Sequence, residues 1–286
     1  MFPDPSLAPC PVDAISYYNE IDSVLHGFLL DCPSFENPLI QEFRDNGMDD
    51  FIKEIEEEFT AMANKHFKFG KKVKVELHFF TKELDLIKAF FDKVNDENLS
   101  PDVLLAWNQS FDFQTIMNRI SFLGKEPANI MCPSWFEIKN VYYKEDKFAK
   151  DQKQKRDRYS ITSDVMFSDL MTNYIQLRAS MAAKDSYALD AILSDELKEN
   201  KVDLDGVSIK ELAYVDYRKF VYYSLKDTFA IFVLDSKIGD TEQLYSIAMK
   251  TRTRFSKGMT KTTSLRNFAI TFYEANGWVL SNNRNS

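Results

Sequence analysis

The most constraining feature of this chain is a short apolar run at residues 102–107, DVLLAW, which follows a Ser-Pro pair and precedes a helical pattern. A run this short and this apolar is typical of a strand that is buried on both faces of a central sheet. Residues 111–123 then show the periodicity of a helix, and strand-like and helix-like segments also alternate ahead of the run. This alternation predicts an α/β fold, in which a sheet is flanked by helices.

Five further elements are predicted ahead of this strand. Residues 12–19 and 23–30 are apolar runs separated by Asn-Glu-Ile-Asp, which indicates an antiparallel hairpin. Residues 48–67 carry apolar positions at helical spacing, and residues 74–80 alternate as a strand does. Thr81 is the predicted cap of an amphipathic helix that ends near Val94.

Beyond the central run the predicted elements are mainly helical. Residues 135–159 predict a hairpin with a charged tip, and helices dominate from Phe167 onward. The strongest helical pattern covers residues 209–238, with apolar positions that include Leu212, Phe220 and Phe229. The length of 286 residues, without an internal repeat or a long linker, suits one large domain or two modest ones.

Composition argues against several classes of protein. No apolar run approaches the ~18 residues that a membrane span needs, and the N-terminus lacks the basic and apolar regions of a signal peptide. The three cysteines are far apart and odd in number, which predicts reduced thiols in a cytosolic protein. The three histidines, His26, His66 and His78, show no zinc-ligand spacing along the sequence.

Charge is distributed unevenly along the chain. The net charge of −8 argues weakly against a nucleic-acid-binding protein, but a whole-chain average does not describe a local groove. Residues 144–158 carry seven Lys and Arg against four Asp and Glu, which is most typical of a solvated loop. Residues 243–273 carry six Lys and Arg and no acid, so we expect helices that present these charges to solvent or to DNA phosphates.

Two short motifs carry candidate chemistry. Asp112 ends the stretch NQSFD at residues 108–112, just after the central strand, where the start of a helix favours an ionised carboxylate that can bind a hard cation. Tyr223 and Asp227 have the i,i+4 spacing that puts a phenol and a carboxylate one helical turn apart. Such a pair can orient the attacking water in two-metal phosphodiester cleavage. Either motif alone is more often only structural.

Together with their order and surroundings, these motifs resemble the exonuclease domain of family-B DNA polymerases, especially those of tailed phages. The second exonuclease motif, N-x-x-F/Y-D after a central strand, matches Asn108 to Asp112. The third, Y-x-x-x-D, matches Tyr223 and Asp227. The stretches FPDPSLAPCPVDAISYYNEID and SYALDAI also look like connecting segments of that domain, so the resemblance covers nearly the whole chain.

The resemblance implies an RNase H-like mixed sheet over residues 1–240 and a helical segment over residues 241–286 that leads towards a polymerase palm. It implies 3′→5′ hydrolysis of DNA in an infected bacterial cytoplasm, with Mg²⁺ or Mn²⁺ held by Asp112 and Asp227 and with Tyr223 as a further catalytic residue. The expected ligand is a single-stranded 3′ end of DNA. The expected DNA contacts are Asn108, Phe111, Lys250, Arg252, Arg254 and Lys257.

One part of the family pattern is not matched. The first motif, a D-x-E on the opening strand, should lie a few residues before Phe2. The internal acidic pairs at 20–22, 56–58 and 203–205 are predicted on a turn, a helix and a loop, and no palm motif is present. We therefore expect a sheet without its first strand and little activity of the chain alone. A split gene product, a truncated reading frame and a fragment remain open, as does a non-catalytic DNA-binding or scaffold piece of a split polymerase.

Overall fold

The computed structural model describes residues 4–31, 37–146, 157–199, 202, 206–255 and 261–278. Within them the chain is a mixed α/β protein, as predicted, with small sheets between layers of helices. The strands are β1 Ala14–Asn19, β2 Val24–Leu30, β3 Lys74–Phe80, β4 Val103–Ala106, β5 Val141–Lys144, β6 Arg158–Ile161 and β7 Met166–Asp169. The helices are α1 Pro38–Asn46, α2 Met48–His66, α3 Glu83–Val94, α4 Gln109–Phe122, α5 Pro127–Met131, α6 Leu170–Leu177, α7 Leu189–Leu197, α8 Ile209–Val215, α9 Tyr217–Ile238, α10 Asp240–Thr251 and α11 Lys261–Ala275.

The strands form three separate groups. The predicted hairpin is present, because β1 pairs antiparallel with β2, and β2 in turn pairs parallel with β3. Strand β4 pairs parallel with β7, and β5 pairs antiparallel with β6. Among the described residues, β1 and β4 therefore each have one strand neighbour and one unpaired edge.

Two apolar cores cover the two faces of the first sheet. Along β2 the side chains alternate, so that Leu25 and Leu29 point into a core shared with α2 and α9, whereas Phe28 points into a core shared with α3 and α4. Strand β4 contributes to both cores, with Trp107 just beyond it packed on the first and Leu104 on the second. The sheet of β1, β2 and β3 and the pair of β4 and β7 are therefore packed against the same two apolar cores.

Gly27 allows α9 to approach the first sheet closely. A Cβ atom at this position would lie 2.8 Å from Cδ2 of Leu77 and 3.4 Å from Cδ2 of Leu225 on α9. Polar contacts tie the same helix to β1, because the hydroxyls of Ser16 and Ser224 lie 2.6 Å apart. This packing fixes the position of α9, which carries the Y-x-x-x-D motif.

Four sequence predictions were wrong in detail. The helix predicted over residues 209–238 is two helices, because Asp216 leaves the helical conformation and its side chain accepts the backbone N–H of Lys219, which starts α9. Thr81 does not cap α3, whose N-cap position is Lys82 without a side-chain hydrogen bond. Strand β7 lies where mainly helices were predicted, and β4 is half-buried with one unpaired edge rather than central to the described sheet. Among the described residues, no helix has both the length and the apolar character to cross a membrane.

Candidate active site

The NQSFD stretch forms a tight turn between β4 and α4. Asn108 adopts the left-handed conformation with φ 61°, which asparagine tolerates better than most residues. Its side chain does not cap the helix, and the chain enters α4 at Gln109, so Asp112 lies in the first turn as predicted. Gln109 is buried and accepts a hydrogen bond of 2.6 Å from the hydroxyl of Tyr159 on β6, which holds the turn from the side.

Asp169 fixes this turn from the end of the neighbouring strand. Its carboxylate caps α6 by accepting the backbone N–H of Thr172 at 3.1 Å. Burial raises the pKa of Asp169, and the nearby backbone N–H groups of Asn108 and Ser110 lower it in part. Asp112 lies near this second acid. Burial, and then the charge of Asp169, raises the pKa of Asp112 to about 7, although its side chain keeps some exposed surface. Asp169 is buried and Asp112 is exposed, and the interaction of their charges disfavours the ionisation of both carboxyl groups.

Tyr223 and Asp227 lie one turn apart on α9, as their spacing predicts. Burial, and then the charge and the hydrogen bond of Asp227, raises the pKa of the Tyr223 phenol above its ordinary value. The phenol therefore stays protonated near neutral pH and acts as a hydrogen-bond donor. Asp190, in the first turn of α7, adds a further negative charge to this environment, and it lines a narrow crevice together with Asp227 and Lys226.

Contacts at the end of β4 bring these two regions towards each other. The indole N–H of Trp107, next to Asn108, donates to the carbonyl of Tyr187 at 3.1 Å. Asp190 follows three residues later and acts on Tyr223, and α9 itself packs against β4. The carboxyl end of a central strand is where α/β proteins commonly build their sites. Close approach of the Asp112 and Asp227 carboxylates remains a prediction.

The expected DNA contacts lie in two places. Phe111 is half-buried at the start of α4, beside Asn108. Lys250, Arg252 and Arg254 are exposed at the end of α10, and Arg252 pairs at 3.7 Å with Glu274. Lys257 lies outside the described residues. Solvent exposure is thus present at three of the four basic residues that were expected to contact DNA, and the fourth is Lys257.

The comparison with protein families is decisive at this point. A model of the exonuclease domain of DNA polymerase family B matches residues 50–192, half of the chain, including the turn at 108–112. The chain belongs to this exonuclease family. Its resemblance in motif and fold is therefore confirmed, whereas the roles of individual site residues remain predictions.

Two viral relatives extend the match beyond the family model. The chain is 25% identical over 246 residues to a DNA-directed DNA polymerase of Escherichia phage RB69, which covers 82% of the chain and 24% of the relative. It is 23% identical over 265 residues to the DNA-directed DNA polymerase of Enterobacteria phage T4, with 89% and 26% covered. The exonuclease domain thus spans about a quarter of the length of these curated relatives.

Sequence reasoning missed two acids of the site. Asp169 is separated from the turn at Asn108 by 60 residues. The sequence feature that could have drawn attention to it is its position just before a helix, where aspartate commonly caps the helix N-terminus. Asp190 had only a weak signal, as an acid in a first helical turn. The acids at 20–22 and 56–58 lie on the turn after β1 and on α2, as predicted, and the pair at 203–205 lies outside the described residues.

Proposed function

We propose that this exonuclease domain hydrolyses DNA from a single-stranded 3′ end with divalent metal ions, as the proofreading part of a phage DNA polymerase in the infected bacterial cytoplasm. The observation that supports this most is that α9, which carries Tyr223 and Asp227, packs against β4, the strand that leads into the Asn108–Asp112 turn. Membership in the family supplies the reaction class.

The residues at this place suit a divalent cation. The carboxyl groups of Asp112 and Asp169 lie close enough for their charges to interact, and a dication relieves the cost of ionising Asp112 there. Carboxylate oxygens are also the ligands that Mg²⁺ and Mn²⁺ prefer. Asp112 and Asp227 would hold the ions. When bound, such ions lower the pKa of the attacking water and neutralise charge on the phosphate.

The other residues would position water and substrate. Tyr223 donates a hydrogen bond, since its raised pKa keeps the phenol neutral, and it would orient the attacking water without serving as the base. Phe111 would stack on a base of the frayed strand, and Asn108 would contact the same strand by its side-chain amide. The exposed basic residues at the end of α10 would contact phosphates of the incoming DNA.

We further propose that a strand carrying the D-x-E pair completes the site by inserting between β1 and β4. Both strands have an unpaired edge among the described residues, and both pack between the same two cores. Unpaired strand edges expose backbone donors and acceptors that readily take up another strand. The strand would come either from a longer form of the polypeptide or from another part of a split polymerase.

The test uses 3′-labelled and 5′-labelled single-stranded DNA with Mg²⁺ or Mn²⁺. The 286-residue chain is compared with the same chain plus a D-x-E strand, supplied as a peptide or as an N-terminal extension, and with an N-x-Q strand as the matched control. We expect degradation from the 3′ end only with D-x-E, lost in Asp112→Ala and in Asp227→Ala. Asp85→Ala, in the exposed first turn of α3, should leave it unchanged.

The other outcomes separate the alternatives. If the unsupplemented chain instead hydrolysed DNA robustly and lost this activity in Asp112→Ala, carboxylates inside the chain would be shown to complete the site. That result would refute the strand proposal but not the exonuclease proposal. Salt-dependent DNA binding without hydrolysis under any condition would refute the exonuclease proposal. It would leave the second candidate, a non-catalytic DNA-binding part of a polymerase, which the exposed basic residues favour.

A further inference from the structure

A cluster of two histidines and a glutamate lies on the first sheet. The parallel register of β2 and β3 places His26 opposite Glu76 and Phe28 opposite His78. Because alternate residues of a strand share a face, His26, Glu76 and His78 project from the same side of the sheet. They form the one group of metal-ligand side chains of this closeness that the described residues contain.

The three ligand atoms have separations close to those of a tetrahedral metal site. Nδ1 of His26 lies 3.2 Å from Nε2 of His78 and 3.4 Å from Oε2 of Glu76, and the last two atoms lie 3.8 Å apart. The nearest point equidistant from the three atoms lies in their plane, about 2.0 Å from each. Tetrahedral zinc bonds of about 2.0 to 2.1 Å correspond to ligand separations of roughly 3.3 to 3.4 Å. An ion therefore fits once the separation between His78 and Glu76 shortens by a few tenths of an ångström, which their exposed side chains allow.

The surroundings orient the two rings. His26 is buried and stacks on Tyr17, and His78 stacks on Phe28 with ring centroids 5.2 Å apart. Each imidazole, when neutral, offers one nitrogen lone pair to a metal ion. The side chains of His78 and Glu76 are 38% and 52% exposed, which leaves a path from solvent and room for a water as fourth ligand.

We propose that His26, Glu76 and His78 form a site for a divalent transition-metal ion of the zinc class, which joins β2 to β3. Two imidazoles and one carboxylate suit Zn²⁺ or Co²⁺, whereas Mg²⁺ prefers an all-oxygen octahedron. The site is separate in residues and in ligand type from the carboxylates of the candidate active site. It does not rest on the proposed nuclease function.

One neighbouring charge opposes the ion and offers a sharp test. Lys93, in the last turn of α3, lies close enough to act on both imidazoles. Its positive charge weakens the binding of a cation, and Glu76 offsets this in part. Removal of the charge by Lys93→Gln should therefore tighten metal binding, a result that a purely structural histidine pair does not produce.

The experiment uses the 286-residue chain without a histidine tag, stripped of metal by a chelator and then titrated with Zn²⁺ or Co²⁺. We expect one ion per chain, a tetrahedral Co²⁺ absorption spectrum, and a Tm raised by about 5 to 10 °C at a free ion concentration of 100 times Kd. Mg²⁺ should not compete for the site. His78→Gln and Glu76→Gln are the test variants, because their exposure makes folding tolerant of the change.

Either test variant should weaken binding by more than about 100-fold, the upper end of losses seen for residues that only support metal ligands. His66→Gln is the matched control, since His66 pairs with Glu199 at 3.3 Å but lacks a second histidine. Binding that both test variants leave unchanged, including binding at Cys10, would overturn the proposal. So would the absence of saturable binding by the folded chain.

Discussion

Asp112→Asn should stabilise the metal-free protein at neutral and alkaline pH. The raised pKa of Asp112 means that the folded state holds this proton more tightly than the unfolded chain does. The favourable contribution of the protonated carboxyl is complete below the unfolded pKa of 3.8, declines as pH rises, and is lost above about 7. Asparagine keeps the shape of the protonated acid and does not ionise, so it avoids this loss.

The size of the effect follows from the pKa difference. A shift from 3.8 to about 7 corresponds to an upper limit of about 4 kcal/mol in the free energy of unfolding, at about 1.4 kcal/mol per pH unit. Asp112 is exposed to solvent, so screening and local relaxation reduce this strongly, and we expect Asp112→Asn to gain about 0.5 to 1 kcal/mol at pH 8 and almost nothing at pH 4. The corresponding rise in Tm at pH 8 is about 1 to 4 °C.

Urea unfolding between pH 4 and pH 8, with a chelator present, measures this difference. Asp85→Asn is the control, because it changes an exposed acid in the first turn of α3 and should lose only the helix-dipole contribution of about 0.3 to 1 kcal/mol. With Mg²⁺ present, the difference in free energy of unfolding between Asp112→Asn and wild type should become smaller or change sign, because the wild-type carboxylate binds the ion. Equal stability of Asp112→Asn and wild type at pH 8 would refute an unfavourable interaction between the charges of Asp112 and Asp169.

Three further predictions concern the substrate, the chemistry and the packing. In the strand-supplemented protein, Tyr223→Phe should lower the hydrolysis rate by about 100-fold without a large change in Tm, whereas a Tm lowered by many degrees would mark a packing role. Replacing Lys250, Arg252 and Arg254 at the end of α10 by neutral residues should weaken DNA binding. The slope of log affinity against log salt concentration should fall by about one per lost phosphate contact, as measured by fluorescence anisotropy. Gly27→Ala should lower the free energy of unfolding by about 1 to 3 kcal/mol in urea, because the added Cβ meets the side chain of Leu77 on β3. Unchanged stability would contradict the close packing of Leu77 over Gly27.

Local sequence patterns predicted most elements because each pattern is a property of neighbouring residues. The hairpin of β1 and β2, the helix α2, the strand β3 and the entry of Asp112 into α4 all follow from apolar periodicity and turn residues. Strand β7 was missed because four residues are too few to show a period, and its partner β4 lies about 60 residues earlier. A single residue, Asp216, interrupts an otherwise continuous helical pattern, so the break before α9 was also missed.

The side-chain clusters were harder to predict because pairing between distant segments creates them. His26 and His78 are 52 residues apart and show no zinc spacing along the chain, yet the parallel register of β2 and β3 brings their nitrogens to 3.2 Å. Asp169 reaches the turn at Asn108 only through the pairing of β4 with β7. The motif carboxylates were found because a family pattern fixes their order, not because the sequence shows which residues surround them.

The two proposed metal sites differ in ligand chemistry, and this makes their roles separable in one sample. Asp112 and Asp227 offer oxygen ligands, which suit Mg²⁺ or Mn²⁺, whereas the cluster of His26, Glu76 and His78 is dominated by imidazole nitrogen, which suits Zn²⁺. After chelation of a strand-supplemented protein, Mg²⁺ alone should restore hydrolysis and leave the Tm contribution of the histidine cluster absent. Zn²⁺ at a low, stoichiometric concentration should restore that contribution and little hydrolysis. If stoichiometric Zn²⁺ restored both in wild type but neither in His78→Gln, the two sites would be coupled through the sheet, and the independence argued from their ligands would be wrong.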